Sequence, residues 1–179
     1  MPCYVAFLRG INLGKRRVPM RRLKSLVEEL GFRDVTTFIA SGNVLFASKA
    51  ADTARLEARI AKHLESSLGY PVDTFVRTAE QVATIARSQP FPEDGRPGFT
   101  VHVGFWQTEP PPELARGLAA IRTAEDEFLV TGREYYWLCR VRTSESKVWT
   151  LPAIKALKFP TATMRNMTSI RKLVAKHLA

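Results

Sequence analysis

The residues best equipped for chemistry stand near the N-terminus. Arg9-Gly10-Ile11-Asn12-Leu13-Gly14-Lys15 combines two cations, two glycines and a carboxamide, and Ser41-Gly42-Asn43 adds a hydroxyl and a second carboxamide. Between Arg9 and Lys24 there are seven basic side chains and no acidic one. Glycine lets a ligand approach the backbone closely. A following helix N-terminus offers unpaired N–H groups and partial positive charge. This set suits a phosphate or another anion, and it makes Arg9, Gly10, Asn12, Gly14, Lys15, Ser41, Gly42 and Asn43 the candidate ligands. Gly and Asn are equally the ordinary residues of turns, and a basic loop can simply be solvated. The pattern alone does not choose between a site and a scaffold.

Other chemistries have less behind them. Gly10–Lys15 fails as a phosphate loop, because three residues rather than four separate Gly10 from Gly14 and Arg16 stands where Ser or Thr should hold magnesium. His63, His102 and His177 are far apart, with no Cys or carboxylate at metal-ligand spacing. His102 alternates with Val101 and Val103, as a structural strand residue would. There is no nucleophile elbow and no HExxH motif. The adjacent acids Glu93-Asp94 and Asp126-Glu127 lie at element boundaries; neighbours diverge in a strand, so both pairs are expected in solvent. Tyr135, Tyr136 and Trp137 read as core before they read as a stacking platform.

The candidate ligands need elements to hold them. Tyr4–Leu8 is a short apolar run, bounded by Arg9-Gly10, that predicts a buried strand. Pro19 opens a helix with apolar residues at Met20, Leu23, Leu26, Val27 and Leu30, stopped by Gly31. Val35–Ala40 and Val44–Ala47 predict a hairpin across Ser41-Gly42-Asn43. Asp52 caps a second helix carrying Leu56, Ile60 and Leu64 and closed by Gly69. Val72–Val76 is a fourth strand, and Thr78 with Gln81 forms a capping box for a third helix. A strand–helix–strand crossover leaves its strands parallel. The exit of the first strand and the turn after the second therefore fall at one end of the sheet, which brings the two Gly/Asn loops together.

The second half has a similar order: a strand at Phe99–Trp106, a helix at Pro112–Ile121 and a hairpin of Phe128–Val130 with Glu134–Val141. A short helix over about Pro152–Leu157, a last strand at Thr161–Met164 and a final helix with Ile170, Leu173, Val174 and Leu178 complete it. Arg77 precedes Val82 and Ile85 at the offsets at which Arg165 precedes Ile170 and Leu173. The expected organisation is an α+β fold built from a βαββαβ unit, repeated: residues 1–88, a Pro/Gly-rich linker over 89–98, and residues 99–179. The RNA-recognition fold shares this topology, but its third strand carries paired stacking aromatics, and Asn43–Ser48 has only Phe46.

Composition sets the class. With 45% hydrophobic and 25% charged residues the chain of 179 supports a real core, so disorder is excluded. It has no apolar run of the roughly 18 residues that span a bilayer, and no basic-then-apolar leader. Cys3 and Cys139 are too few for a disulfide framework and read as free thiols. A cytoplasmic protein is expected, with no membrane partner, no metal and no cofactor. The net charge of +10 is uneven: residues 1–50 carry +6, 51–139 carry −4 and 140–179 carry +8. Basic ends attract phosphate-rich partners.

FLRGINLG at 7–14, GFRDVTTFIASGNVLF at 31–46 and TATMRNMTSIRKL at 161–173 resemble the bacterial family known as Domain of Unknown Function sixteen-ninety-seven. The resemblance runs nearly end to end and implies a ferredoxin-like α+β fold. It also adds Arg165 and Asn166 to the candidate site as a third element. Ala40 stands where the family commonly has Gln, and Met164 and Met167 stand for a Thr and a Trp, so a pocket there would be less polar and less aromatic. The family implies no activity. Three readings follow from the residues. One is a binder of a phosphate-bearing partner, nucleic acid foremost. Another is an enzyme acting on a small anionic or nucleotide substrate, a phosphorylated small molecule among them, and the third a non-catalytic interaction module, monomeric or weakly dimeric through an edge strand.

Overall fold

The computed structural model describes all residues, 1–179. Contacts divide the chain into two units, Met1–Thr84 and Ile85–His177. No helix is long and apolar enough to cross a membrane.

The first unit contains β1 (Cys3–Leu8), α1 (Met20–Glu28), β2 (Arg33–Phe38), β3 (Asn43–Ala47), α2 (Thr53–Leu68) and β4 (Thr74–Thr78), and leads into α3 (Ala79–Arg87). The sheet runs β2-β3-β1-β4 with every neighbouring pair antiparallel. This is the order that two crossovers around one hairpin require. Asp52 accepts the Ala54 and Arg55 N–H groups at the start of α2, and Gly69, at φ 83°, ends it in the left-handed conformation. That fixes the helix so that Leu56, Ile60 and Leu64 point at Tyr4, Ala6, Leu8, Val44, Phe46 and Val76. Each of these buried aliphatic chains contributes about 1.5–3 kcal/mol. Before α3, Gln81 N–H donates to Thr78 Oγ1 and Thr78 N–H to Gln81 Oε1, the reciprocal capping box expected.

The second unit repeats the plan with β5 (Thr100–Phe105), α4 (Pro112–Ala119), β6 (Asp126–Thr131), β7 (Glu134–Cys139), α5 (Pro152–Lys155), β8 (Thr163–Asn166) and α6 (Met167–His177). Its sheet order, β6-β7-β5-β8, matches position for position. The chain is therefore a duplicated ferredoxin-like α+β protein. Where the first unit has the 16-residue α2, the second has two short 3₁₀ turns and the four-residue α5. Large rings cover the sheet in place of a long helix. Trp149 stands edge-on to Trp137, Phe128 and Phe159 at 5.6, 5.5 and 5.7 Å. Tyr135 and Trp137 belong to this core, and Tyr136 is buried on the other face of β7, so the aromatic run is packing.

Three expectations change, one of them the last strand of each unit, which lies two residues later than expected, at Thr74–Thr78 and Thr163–Asn166. The segment 89–98, expected as a linker, is built into the second unit: Phe91 is buried, Arg140 binds Glu93 at 2.7 Å and Arg171 binds Asp94 at 2.5 Å. The adjacent acids are not solvated either. Asp126 is buried and accepts from Trp137 Nε1, Ser146 Oγ and Thr123 Oγ1 at 2.8, 2.8 and 2.9 Å. Glu127 pairs with Arg122 and Arg140. Strand alternation does send the two acids apart, but each meets a partner in place of water.

Candidate functional site

The two Gly/Asn loops of the first unit meet, as the crossover argument requires. Leu8 N–H donates to Gly42 O at 2.9 Å, joining the end of β1 to the hairpin turn. The approach is close enough to demand glycine: a Cβ at Gly42 would lie 3.1 Å from Leu8 Cβ and 3.4 Å from Ile11 Cγ2, at φ +84°. Asn12, itself at φ 56°, spans the junction with one carboxamide. Its Nδ2 donates to Ala40 O at 2.9 Å, and its Oδ1 accepts from Val18 N–H at 2.7 Å. Asn43 is buried and donates to Phe38 O at 2.8 Å and Ser41 Oγ at 3.0 Å, closing the turn from within.

Gly10, Asn12, Ser41, Gly42 and Asn43 are thus brought together, with both asparagines acting as braces. What the braces hold outward is cationic. Lys15, Arg16 and Arg17 are exposed, and Arg21, Arg22 and Lys24 continue the run along α1. Gly14, at φ +58°, turns the loop, and a Cβ there would meet nothing within 4 Å. The Arg16 guanidinium lies over the Tyr70 ring at 4.5 Å, and Arg17 Nη1 reaches Asn12 O at 3.4 Å. Arg9 is directed elsewhere: its N–H binds Asp73 O at 2.9 Å and its guanidinium faces the Asp73 carboxylate at 3.4 Å. Two exposed apolar side chains, Leu13 and Ile39, complete the surface. The basic run in the sequence signalled Arg16 and Arg17; nothing in it signalled Tyr70 or Ile39.

Arg165 and Asn166 lie in the second unit. Arg165 is buried in β8, where its Nη1 donates to Thr163 Oγ1 at 2.7 Å and Met164 O at 2.9 Å. Burial pushes its pKa down to about 10, so it stays protonated at neutral pH. Asn166 Oδ1 accepts from Thr168 N–H at 2.8 Å, as a helix-capping side chain does at the start of α6. Met167 is buried and Met164 packs on the aromatic core, so these departures from the family pattern are packing positions.

The duplication supplies an internal comparison. The equivalent junction of the second unit keeps the strand-to-turn bond, Trp106 N–H to Arg133 O at 2.9 Å, and Arg133 Nη1 reaches Gln107 O at 3.3 Å. Its loop reads Gln107-Thr108-Glu109-Pro110-Pro111, without a cation. Its turn is the two residues between Thr131 and Glu134, against four between Phe38 and Asn43. The fold needs the bond; it does not need the basic loop or the longer turn.

Other titratable groups are occupied by structure. His102 stacks on Trp137 with ring centres 4.9 Å apart, and burial lowers its pKa, keeping it neutral. His63 meets Glu29 at 2.8 Å on the surface. Cys3 and Cys139 are free, and burial raises both thiols, which suppresses thiolate chemistry.

Two sheets of one strand order and a braced basic junction define the class, a duplicated ferredoxin-like protein. The chain belongs to the family described as Protein of unknown function (DUF1697), whose sequence profile matches residues 1–136. The match includes the whole junction and stops before Arg165-Asn166. Over its full length the chain is also similar to a solved structure, that of conserved bacterial protein SP0830 from Streptococcus pneumoniae. The TM-score is 0.77 and the identity 20%, with 100% of this chain and 99% of that one covered. That likeness concerns the fold. No curated protein matches the chain.

Proposed function

We propose that the protein binds a phosphate-bearing partner, a nucleic acid, through the β1–α1 loop and the start of α1. One observation carries this: the first junction holds Lys15, Arg16 and Arg17 exposed on a braced loop, while the equivalent junction of the second unit has no cation in its loop and the single Arg133 in its turn. A feature the fold does not require, present at one of two matching places, needs a reason outside folding. Phosphates supply one, because each cation set against a backbone phosphate releases a counterion. Bracing matters because a preordered loop loses less entropy on binding. Gly10 and Gly14 allow the backbone to come close, while Asn12, Ser41, Gly42 and Asn43 hold the loop in place. In this reading Arg9 is peripheral, tied to Asp73.

The test is fluorescence anisotropy with single- and double-stranded oligonucleotides over a salt series. If three to six of the exposed cations touch phosphate, log K falls against log salt with a slope of about −3 to −5. The K15A/R16A/R17A variant should flatten that slope by about 2–3. Absence of binding at low salt overturns the proposal. A thermal shift with phosphorylated metabolites but none with oligonucleotides would move the site to a small anion.

A further inference from the structure

The same junction carries a second feature that phosphate binding does not explain. Leu13 is 64% exposed and Ile39 is 48% exposed, two of the largest apolar exposures in the chain. Each is next in sequence to a residue of the Asn12–Ala40 hydrogen bond, so that bond ties together the two loops that carry them. Ile39 sits at φ +52°, where a β-branched residue is strained. It lies in the longer turn, four residues against the two at the matching turn of the second unit, where Gly132-Arg133 offers no apolar chain. The first junction therefore carries two exposed aliphatic side chains on loops that also hold the cations Lys15, Arg16 and Arg17.

We infer that the nucleic acid taken by this junction is a duplex with a weakened step, and that Leu13 and Ile39 enter between its bases. The inference rests on the nucleic-acid reading above and names the form of the partner. The chemistry is that of a wedge. Aliphatic side chains flanked by cations unstack a base step while the cations hold the backbone on either side. A stacking platform for single strands would instead use aromatic rings, and the exposed tips here are Leu and Ile. Unstacking is least unfavourable where pairing is already broken, so a bulge or mismatch is the preferred target.

The experiment uses the full chain and three probes: a matched duplex, the same duplex with a two-nucleotide bulge, and phosphatidylglycerol vesicles. The expected result is binding about tenfold tighter to the bulged duplex than to the matched one. A 2-aminopurine beside the bulge should brighten on binding as it loses its stacking partner. In the L13S/I39S variant the preference and the brightening should disappear, while matched-duplex affinity and its salt slope persist. Both residues are exposed, so the thermal midpoint of that variant should stay near the wild-type value. Equal affinity of the wild type for both duplexes overturns the inference, and so does a preference unchanged in L13S/I39S; neither result touches the phosphate reading. No salt-dependent binding to any oligonucleotide removes both. Vesicle binding that needs Leu13 and Ile39, without oligonucleotide binding, would assign the tips to a lipid surface and also overturns the inference.

Discussion

Asn12 is the single residue whose replacement tests the junction most directly. Asn12→Ala removes the bonds to Ala40 O and from Val18 N–H. Each is worth about 0.5–1.5 kcal/mol, at the lower end where water can replace it. It also places alanine at φ 56°, a conformation that Asn tolerates and that costs a residue with a plain Cβ about 1–2 kcal/mol. Together these give about 2–4 kcal/mol, and a thermal midpoint lowered by about 5–12 °C. Two companions separate the causes. Asn12→Gly keeps the backbone conformation and loses both bonds, so it should cost about 1–2 kcal/mol. Asn12→Asp keeps the acceptor for Val18 but sets a carboxylate oxygen against Ala40 O in place of the donor, so it should cost about as much as Asn12→Gly and less than Asn12→Ala. Trp106, Trp137 and Trp149 all lie in the second unit, so tryptophan fluorescence reports that unit. The first unit is followed by far-ultraviolet circular dichroism in urea, and by hydrogen exchange of peptides covering 9–18 and 38–43. Asn12→Ala equal to Asn12→Asp in stability, with no faster exchange in either peptide, would refute the bracing argument.

Two further outcomes follow from the same geometry. Gly42→Ala combines a left-handed φ with contacts at 3.1 and 3.4 Å, whereas Gly14→Ala meets open space; urea denaturation should show Gly42→Ala the more destabilising by about 1–2 kcal/mol. Burial lowers the His102 pKa, so the unfolded chain binds its proton more readily than the folded one. Its stabilising contribution is whole above the unfolded value of about 6.5 and is lost as pH falls from there through the lowered folded value. Denaturation midpoints measured between about pH 8 and pH 5 should therefore fall further for the wild type than for His102→Phe, and parallel profiles would show that another group governs this window.

Much of the architecture was legible because it depends on periodicity and punctuation. Asp52 and Gly69 bound α2 as expected, and Thr78 with Gln81 opened α3 as expected. The meeting of the two Gly/Asn loops was also legible, since it follows from crossover topology alone. The role of each polar side chain was not. A carboxamide in a Gly-rich loop looks the same in sequence whether it faces a ligand or, like Asn12 and Asn43, closes a backbone turn. Asp126 looked solvated because its partners, Trp137 and Ser146, are 11 and 20 residues away. The loss of the second long helix from the second unit was visible only as a short one. Its replacement by Trp149 and Phe159 depends on packing that no local pattern encodes.

The most instructive displacement occurs twice. In both units the last strand was expected two residues early, at Val72–Val76 and Thr161–Met164, and is found at Thr74–Thr78 and Thr163–Asn166. The cause is the same: each strand contains an arginine, and a charged residue reads as the end of a buried strand. Arg77 is paired opposite Val5 and Arg165 opposite Val103, both are buried, and both donate from Nη1 to the carbonyl of the preceding residue, at 3.1 and 2.9 Å. Burying a guanidinium costs several kcal/mol unless its donors are satisfied. The flanking sequences, Phe75-Val76-Arg77-Thr78 and Thr163-Met164-Arg165-Asn166, share little beyond the arginine. The matching register and the shared bond to the preceding carbonyl, from dissimilar neighbours, mean that the position in the repeated plan sets the environment of these arginines. They belong to the scaffold that both units share. The basic loop and the exposed Leu13 and Ile39 of the first junction have no such counterpart, and the proposed function rests on that contrast.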